Sequence, residues 1–221
     1  MAVLGVDGWR GRWVGALLDG RTVTLLALPD VAAVLAVPDV DVVGIDMPIG
    51  LSEDGPRSCD VLARKRLGRA GSSVFPAPLR PVLGTPDYAT ACAVARAASG
   101  TALSVQTWNL VPSIRALDDG LGDPPSAHVH EVHPELAFRS LDERVQDPKA
   151  TARGLAQRVR ALLPVMDVLA ALADGPRGVP AVDALDACAA AKSAQRIAAG
   201  TAETVGDDVR DSRGRPMRIC W

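Results

Sequence analysis

One stretch near the N-terminus, Val3-Leu4-Gly5-Val6-Asp7-Gly8, constrains the fold more than any other. An apolar run delivers one carboxylate to the point where the run breaks against glycine. Such runs form strands buried on both faces, and the loop that follows leaves Asp7 at a strand terminus. The pattern recurs at Asp41-Val42-Val43-Gly44-Ile45-Asp46-Met47-Pro48-Ile49-Gly50, where an apolar run ends in a carboxylate and then a Pro and Gly turn. Two such ends lying side by side bring Asp7 and Asp46 close enough to share a cation.

The segments between them set the topology. Trp13 to Leu18 and Thr22 to Leu26 are strand-like runs separated by Asp19-Gly20, a strong hairpin signal. Three strands therefore open the chain as an antiparallel meander. Pro29 and Asp30 introduce Val31 to Val37, a short helix with Asp30 as its cap. A strand ending at Asp46 and parallel to the first requires such a crossover.

At 221 residues the chain can bury a full core, and the expected organisation is a domain at 1–205 with an insertion at about 51–120, then a C-terminal tail at 206–221. A net charge of -2 gives no global attraction to nucleic acid, so a polyanion would need a local basic face or bound metal ions. Aromatics at 3% argue against a stacking platform for single-stranded bases. No apolar run approaches the ~20 residues that span a bilayer, and the N-terminus lacks the features of a signal peptide. The expectation is a cytoplasmic protein with no membrane partner. Cys59, Cys92, Cys188 and Cys220 show no C-x-x-C pairing and read as reduced, with Cys92 and Cys188 as small buried side chains.

Within the insertion, Arg57 to Gly68 reads as a helix with a basic face, and Arg57, Arg64, Lys65, Arg66, Arg69 and Arg80 cluster in this region. The face is either a solvated surface or a phosphate-contacting patch. Ser72-Ser73-Val74-Phe75-Pro76-Ala77-Pro78 is a stiff loop, suited to a cleft wall. A helix from about Asp87 to Ser99 stops at Gly100. Leu103 to Leu110 carries polar groups among apolar ones.

His128-Val129-His130-Glu131-Val132-His133-Pro134-Glu135 places Glu131 in a strand beside the Asp46 strand. Alternation sends the three imidazoles to opposite faces, which argues against one zinc ion. Lys149 to Leu163 is a helix that Pro164 bends or ends, and Val165 to Ala173 continues helical as far as Asp174-Gly175-Pro176. The last strong element is an alanine-rich helix over 182–194. Asp183 and Asp186 project from one side of its first turn, where one carboxylate satisfies a capping role and the second is left over as a site residue. This helix can pack against a second copy as readily as against the sheet, which leaves homo-oligomerisation open. Beyond Gly200 the chain reads as loop with a final hairpin, and Trp221 docks on the body.

A carboxylate on the first strand, another on the fourth and an aspartate pair opening the last helix, after a meander and a crossover helix, resemble the ribonuclease H-like fold. The ordering is most similar to the Holliday-junction resolvases and their relatives, where a D-x-x-D-A stretch completes the metal site; here that stretch is Asp183 to Ala187. More closely, the chain resembles the bacterial family catalogued as domain of unknown function 429, described as predicted nucleases of ribonuclease H-like fold. The resemblance rests on Gly5 to Gly11, Ile45 to Gly50, Arg57 to Asp60, Ser72 to Pro78, Gln106 to Asn109, Glu131 to Glu135 and Asp183 to Ala187. It implies an α/β protein with a mixed five-stranded central sheet flanked by helices and an insertion after the fourth strand. It makes Asp7, Asp46, Glu131, Asp183 and Asp186 the candidate catalytic and metal-ligating residues, and Arg10, Arg57, Arg64, Ser73 and Gln106 the candidate substrate contacts.

The expected function is a nuclease or related phosphoester hydrolase, with Asp7 bridging two Mg2+ or Mn2+ ions about 4 Å apart. Hard cations take oxygen ligands, in keeping with carboxylates rather than cysteines at the site. The substrate would be a nucleic acid or a nucleotide. Three other readings compete. A small phosphorylated substrate would use the same ligands in a tighter cleft. A non-catalytic nucleic-acid or protein binding module would keep the fold without turnover. An ATP-binding protein of the actin or sugar-kinase kind also opens with Gly5-Val6-Asp7-Gly8 and a hairpin, but needs two such domains and a second phosphate loop.

Overall fold

The computed structural model describes residues 1–221, which divide into two compact units. The first comprises residues 1–47, 127–204 and 220–221; the second comprises 48–126 and 205–219.

In the first unit, β1 (Ala2–Trp9), β2 (Arg12–Asp19) and β3 (Thr22–Leu28) form the expected antiparallel meander. Its first turn is Arg10-Gly11 with φ at 48° and 74°, the paired positive values of a type I′ hairpin. Helix α1 (Val31–Leu35) follows, and the Asp30 carboxylate accepts the Ala33 N–H at 2.8 Å as its cap. Strand β4 (Val40–Ile45) then pairs parallel to β1, and β5 (Val129–Glu131) pairs parallel to β4. The strand order is β3-β2-β1-β4-β5. The protein is therefore α/β, with a mixed five-stranded sheet flanked by helices.

Register partners in parallel strands point to one face. Gly5 and Gly44 are partners, and both face the long helix α8 (Ala181–Ala198). A Cβ added to Gly5 would lie 1.9 Å from the Ala191 nitrogen, and one on Gly44 would lie 2.9 Å from the Ala190 carbonyl oxygen. Glycine on the strands and alanine on the helix thus let the two backbones approach, and Ala187, Ala189, Ala190, Ala191 and Ala194 are fully buried. The alternate positions Leu4, Val6 and Ile45 are buried on the opposite face, each contributing roughly 1.5–3 kcal/mol.

Helices α2 (Ser58–Leu67), α3 (Tyr88–Ser99) and α4 (Val105–Gly120) belong to the second unit, and α5 (Pro134–Leu141), α6 (Ala152–Leu162) and α7 (Val168–Asp174) to the first. Between α5 and α6, buried Arg158 pairs with Glu135 at 2.6 Å and lies over the Phe138 ring at 5.4 Å. The sequence suggests that helix resumes at Val165, but α7 starts only at Val168. The Arg21 guanidinium takes the carbonyls of Leu163 and Pro164, and the Asp167 N–H donates to the Arg21 carbonyl at 2.9 Å. Helix α6 ends beside Pro164, as the sequence suggests, and these bonds tie residues 163–167 to the β2–β3 turn.

No strand lies between β4 and β5, so the second unit is built from helices and loops. Helix α3 carries its expected ends, an Asp87 cap and Gly100 in the left-handed region. Helix α4 is an element the sequence reading did not delimit. Buried Asp118 on α4 pairs with Arg80 at 3.0 Å, Arg213 at 2.7 Å and Arg215 at 3.1 Å. Arg80 also pairs with Asp211, whose carboxylate accepts the Leu51 N–H at 3.0 Å. This network ties residues 205–219 into the unit. Near the chain end, β6 (Thr204–Val205) pairs with β7 (Ile219–Cys220). Glu203 and Trp221 exchange backbone hydrogen bonds, and Trp221 is buried as expected. All four cysteines are buried, and none is in a disulfide.

Candidate functional site

The parallel pairing of β1 and β4 sets Asp7 and Asp46 together. Val6 and Ile45 are register partners, and the Asp46 N–H donates to the Val6 carbonyl at 2.9 Å. Both carboxylates thus emerge at one end of neighbouring strands. Asp7 lies on the face of Gly5, toward α8. That helix starts at Ala181 with no side-chain cap, and Asp183 and Asp186 stand in its first two turns. Asp183 is half-buried, whereas Asp186 is only 3% exposed.

Burial and mutual repulsion act together on these groups. Burial raises the Asp7 carboxyl well above its ordinary range, and Asp46, Asp186 and Asp183 push it further up while Lys149 opposes them. Burial, then Asp186, push Asp46 up to about 7. Asp186 is raised by burial despite Lys149, and Asp183 is raised by burial against the pull of Lys149 and Arg10. Like charges in a desolvated site disfavour ionisation, and added positive charge relieves them. Within its own loop, Asp7 Oδ1 accepts the Gly8 N–H at 2.8 Å.

Lys149 supplies the positive charge. Its Nζ lies 2.5 Å from Asp186 Oδ2, and its pKa is raised because Asp186, Asp7 and Asp46 outweigh the desolvation that acts to lower it. In the sequence Lys149 reads only as the start of a helix. One signal was present: lysine occupies three of the 24 basic positions, arginine the others. A compact ammonium at such a place differs in kind from a planar guanidinium.

Glu131 stands elsewhere. It is the register partner of Ile45, so it leaves the sheet on the face of Val6, opposite to Gly5 and Asp7. It is buried there. The strand register sets Asp7 and Asp46 on the α8 side, where Asp186 lies within electrostatic reach of both and Asp183 of Asp7, and it turns Glu131 to the opposite face.

Among the candidate substrate contacts, Arg10 is exposed at the β1–β2 turn and within electrostatic reach of Asp183. The others lie in the second unit. Buried Arg57 pairs with Asp60 at 2.5 Å and donates to the carbonyls of Ile49 and Gly50, both at 3.1 Å. Asp60 also accepts the Ala77 N–H at 3.0 Å, so this ion pair holds the proline-rich loop. Exposed Arg64 donates to the Val74 carbonyl at 2.7 Å. Ser73 Oγ donates to the Ala70 carbonyl at 2.8 Å, and Gln106 is exposed in the first turn of α4.

No three His, Cys, Asp or Glu side chains stand in metal-holding geometry. The donor chemistry nevertheless fits a hard divalent cation. Asp7, Asp46 and Asp186 offer oxygen only, and burial raises the pKa of all three. No helix is long and apolar enough to cross a membrane. The family described as "Protein of unknown function (DUF429)" matches residues 5–211. No curated protein and no solved structure matches the chain.

Proposed function

We propose that this chain, which belongs to the DUF429 family, is a metal-dependent phosphoester hydrolase of ribonuclease H-like fold acting on nucleic acid or nucleotides. The observation that carries the reading is the meeting of Asp7, Asp46 and Asp186 from two neighbouring parallel strands and the facing helix. The strand order supports the fold reading, because a meander followed by parallel β4 and β5 is the arrangement on which the resemblance rests. The single five-stranded sheet counts for it over the ATP-binding reading, which needs two such domains.

Asp7, Asp46 and Asp186 would hold Mg2+ or Mn2+, with Asp183 at the open edge of the site. A bound divalent ion supplies charge for the phosphoryl oxygens and lowers the pKa of a water. The remaining work falls to the chain's own groups. Asp7 is fixed by the Gly8 N–H, and Asp46 by the strand ladder behind it. Arg10 presents a guanidinium at the exposed edge, beside Asp183, where it orients an incoming phosphate. The tight backbone contact of Gly5 with α8 keeps the strand and helix carboxylates at fixed separation.

A non-catalytic binding module remains the second reading, favoured by the Lys149–Asp186 pair, which supplies a cation from within the chain. Calorimetry with Mn2+ on the wild type and on Asp7→Asn separates the two. A binding step in the wild type that Asp7→Asn loses, followed by Mn2+-dependent cleavage of single-stranded, duplex or nucleotide substrates, is the expected result. Absence of millimolar binding in the wild type overturns the hydrolase reading.

A further inference from the structure

Lys149 is the one cation hydrogen-bonded to a carboxylate of this cluster, and its surroundings are built to place it there. Its backbone segment is pinned on α6. A Cβ on Gly154 would lie 2.1 Å from the Pro148 carbonyl oxygen, so only glycine lets the segment come this close. Thr151 Oγ1 donates to the Pro148 carbonyl at 2.8 Å and accepts the Gly154 N–H at 3.0 Å. Gln157 accepts the N–H groups of Gln146 and Asp147 at 3.1 and 3.0 Å and donates to the Asp147 carboxylate at 2.6 Å. Arg158 donates to the Asp147 carbonyl at 3.1 Å.

The base of Lys149 is thus fixed while its side chain remains 52% exposed, against 4% for Asp186. An unbranched four-carbon stem can swing its ammonium out to solvent with no movement of the backbone. Asp186 has no such freedom, being on a buried helix.

We propose that Lys149 is an intramolecular stand-in for the divalent metal: its ammonium occupies the cation position of the Asp7–Asp46–Asp186 cluster in the metal-free protein, and metal binding displaces it. The inference rests on the metal reading of the same carboxylates. Two consequences follow from competition for one position. Lys149 lowers metal affinity, and it stabilises the metal-free fold by neutralising carboxylates that are otherwise buried without a counter-charge.

The test is Mn2+ calorimetry together with thermal melting, in chelator and in Mn2+, for the wild type, Lys149→Met, Lys149→Arg and the control Lys192→Met. Lys192 lies on α8 and bonds Gln195. The expected result is that Lys149→Met binds Mn2+ at least tenfold more tightly than the wild type, melts lower in chelator, and gains more from Mn2+. Lys149→Arg keeps the charge and stays at least as weak a binder as the wild type, and Lys192→Met matches the wild type. Metal binding by the wild type with equal or weaker binding by Lys149→Met overturns the stand-in role and leaves the metal site intact. Binding by neither protein overturns the metal site itself and the competition with it.

Discussion

Gly5 and Ala191 are in backbone contact: a Cβ built on Gly5 would lie 1.9 Å from the Ala191 nitrogen and 2.2 Å from the Ala187 carbonyl oxygen. Neither neighbour is a flexible side chain, so the added methyl group can be accommodated only by moving the helix. Gly5→Ala is expected to lose at least about 3 kcal/mol of stability. Denaturant unfolding checks this, and a loss below about 1 kcal/mol would show that α8 does not sit this close to β1.

Asp46 gives the metal-free protein a defined pH dependence. Its folded pKa, pushed up to about 7, lies above the unfolded value, so the fold favours the protonated form. Its contribution is complete below about pH 4 and is lost as pH rises through 7. Asp46→Asn removes this slope and is expected to be more stable than the wild type by roughly 1–3 kcal/mol at pH 8, at the lower end because Asp46 keeps some solvent contact. The two proteins converge at pH 4. Melting in chelator across that range is the measurement, and parallel curves would remove Asp46 from the cluster.

Arg10 holds a left-handed conformation, φ 48°, that glycine adopts without cost. Arg10→Gly is expected to raise stability by about 0.5 kcal/mol and to weaken phosphate-bearing ligands. A gain in melting temperature paired with a raised KM marks a residue kept for binding. Unchanged KM with the same gain would remove Arg10 from the substrate contacts.

Buried Arg158 pairs with half-buried Glu135 and also holds the Asp147 carbonyl. Glu135 keeps Arg139 at 3.4 Å when Arg158 is lost, so the cost falls to about 1–3 kcal/mol. Arg158→Met is expected to show that loss, and Arg158→Met with Glu135→Gln to recover part of it. Urea unfolding of the two variants checks the coupling, and purely additive losses would refute it.

The sheet was legible because its signals are local. Apolar runs mark β1 to β4, glycine pairs mark the turns, and Asp30 caps α1 from three residues away. The placing of Asp7 and Asp46 at adjacent strand ends needed only the inference of a parallel crossover. Other features depended on partners far along the chain. Lys149 and Asp186 are 37 residues apart, and Arg21 reaches the Leu163 carbonyl from 142 residues away. The face on which Glu131 leaves the sheet follows from pairing with Ile45, and a shift of one residue would reverse it. Helix α4 carried a readable cap in Ser104, which accepts the Thr107 N–H at 3.0 Å, but Pro112 inside it obscured the period.

Both units are discontinuous in sequence, and both draw on the chain after residue 203. The Asp118–Arg80 pair therefore lacks Asp211, Arg213 and Arg215 for as long as the C-terminal segment is unmade. On the ribosome, neither unit completes in the order in which it is synthesised. The early strands and α2 to α4 emerge well before the residues that neutralise their buried charge. Closure of both units waits for residues 204–221, which favours concerted folding over unit-by-unit assembly.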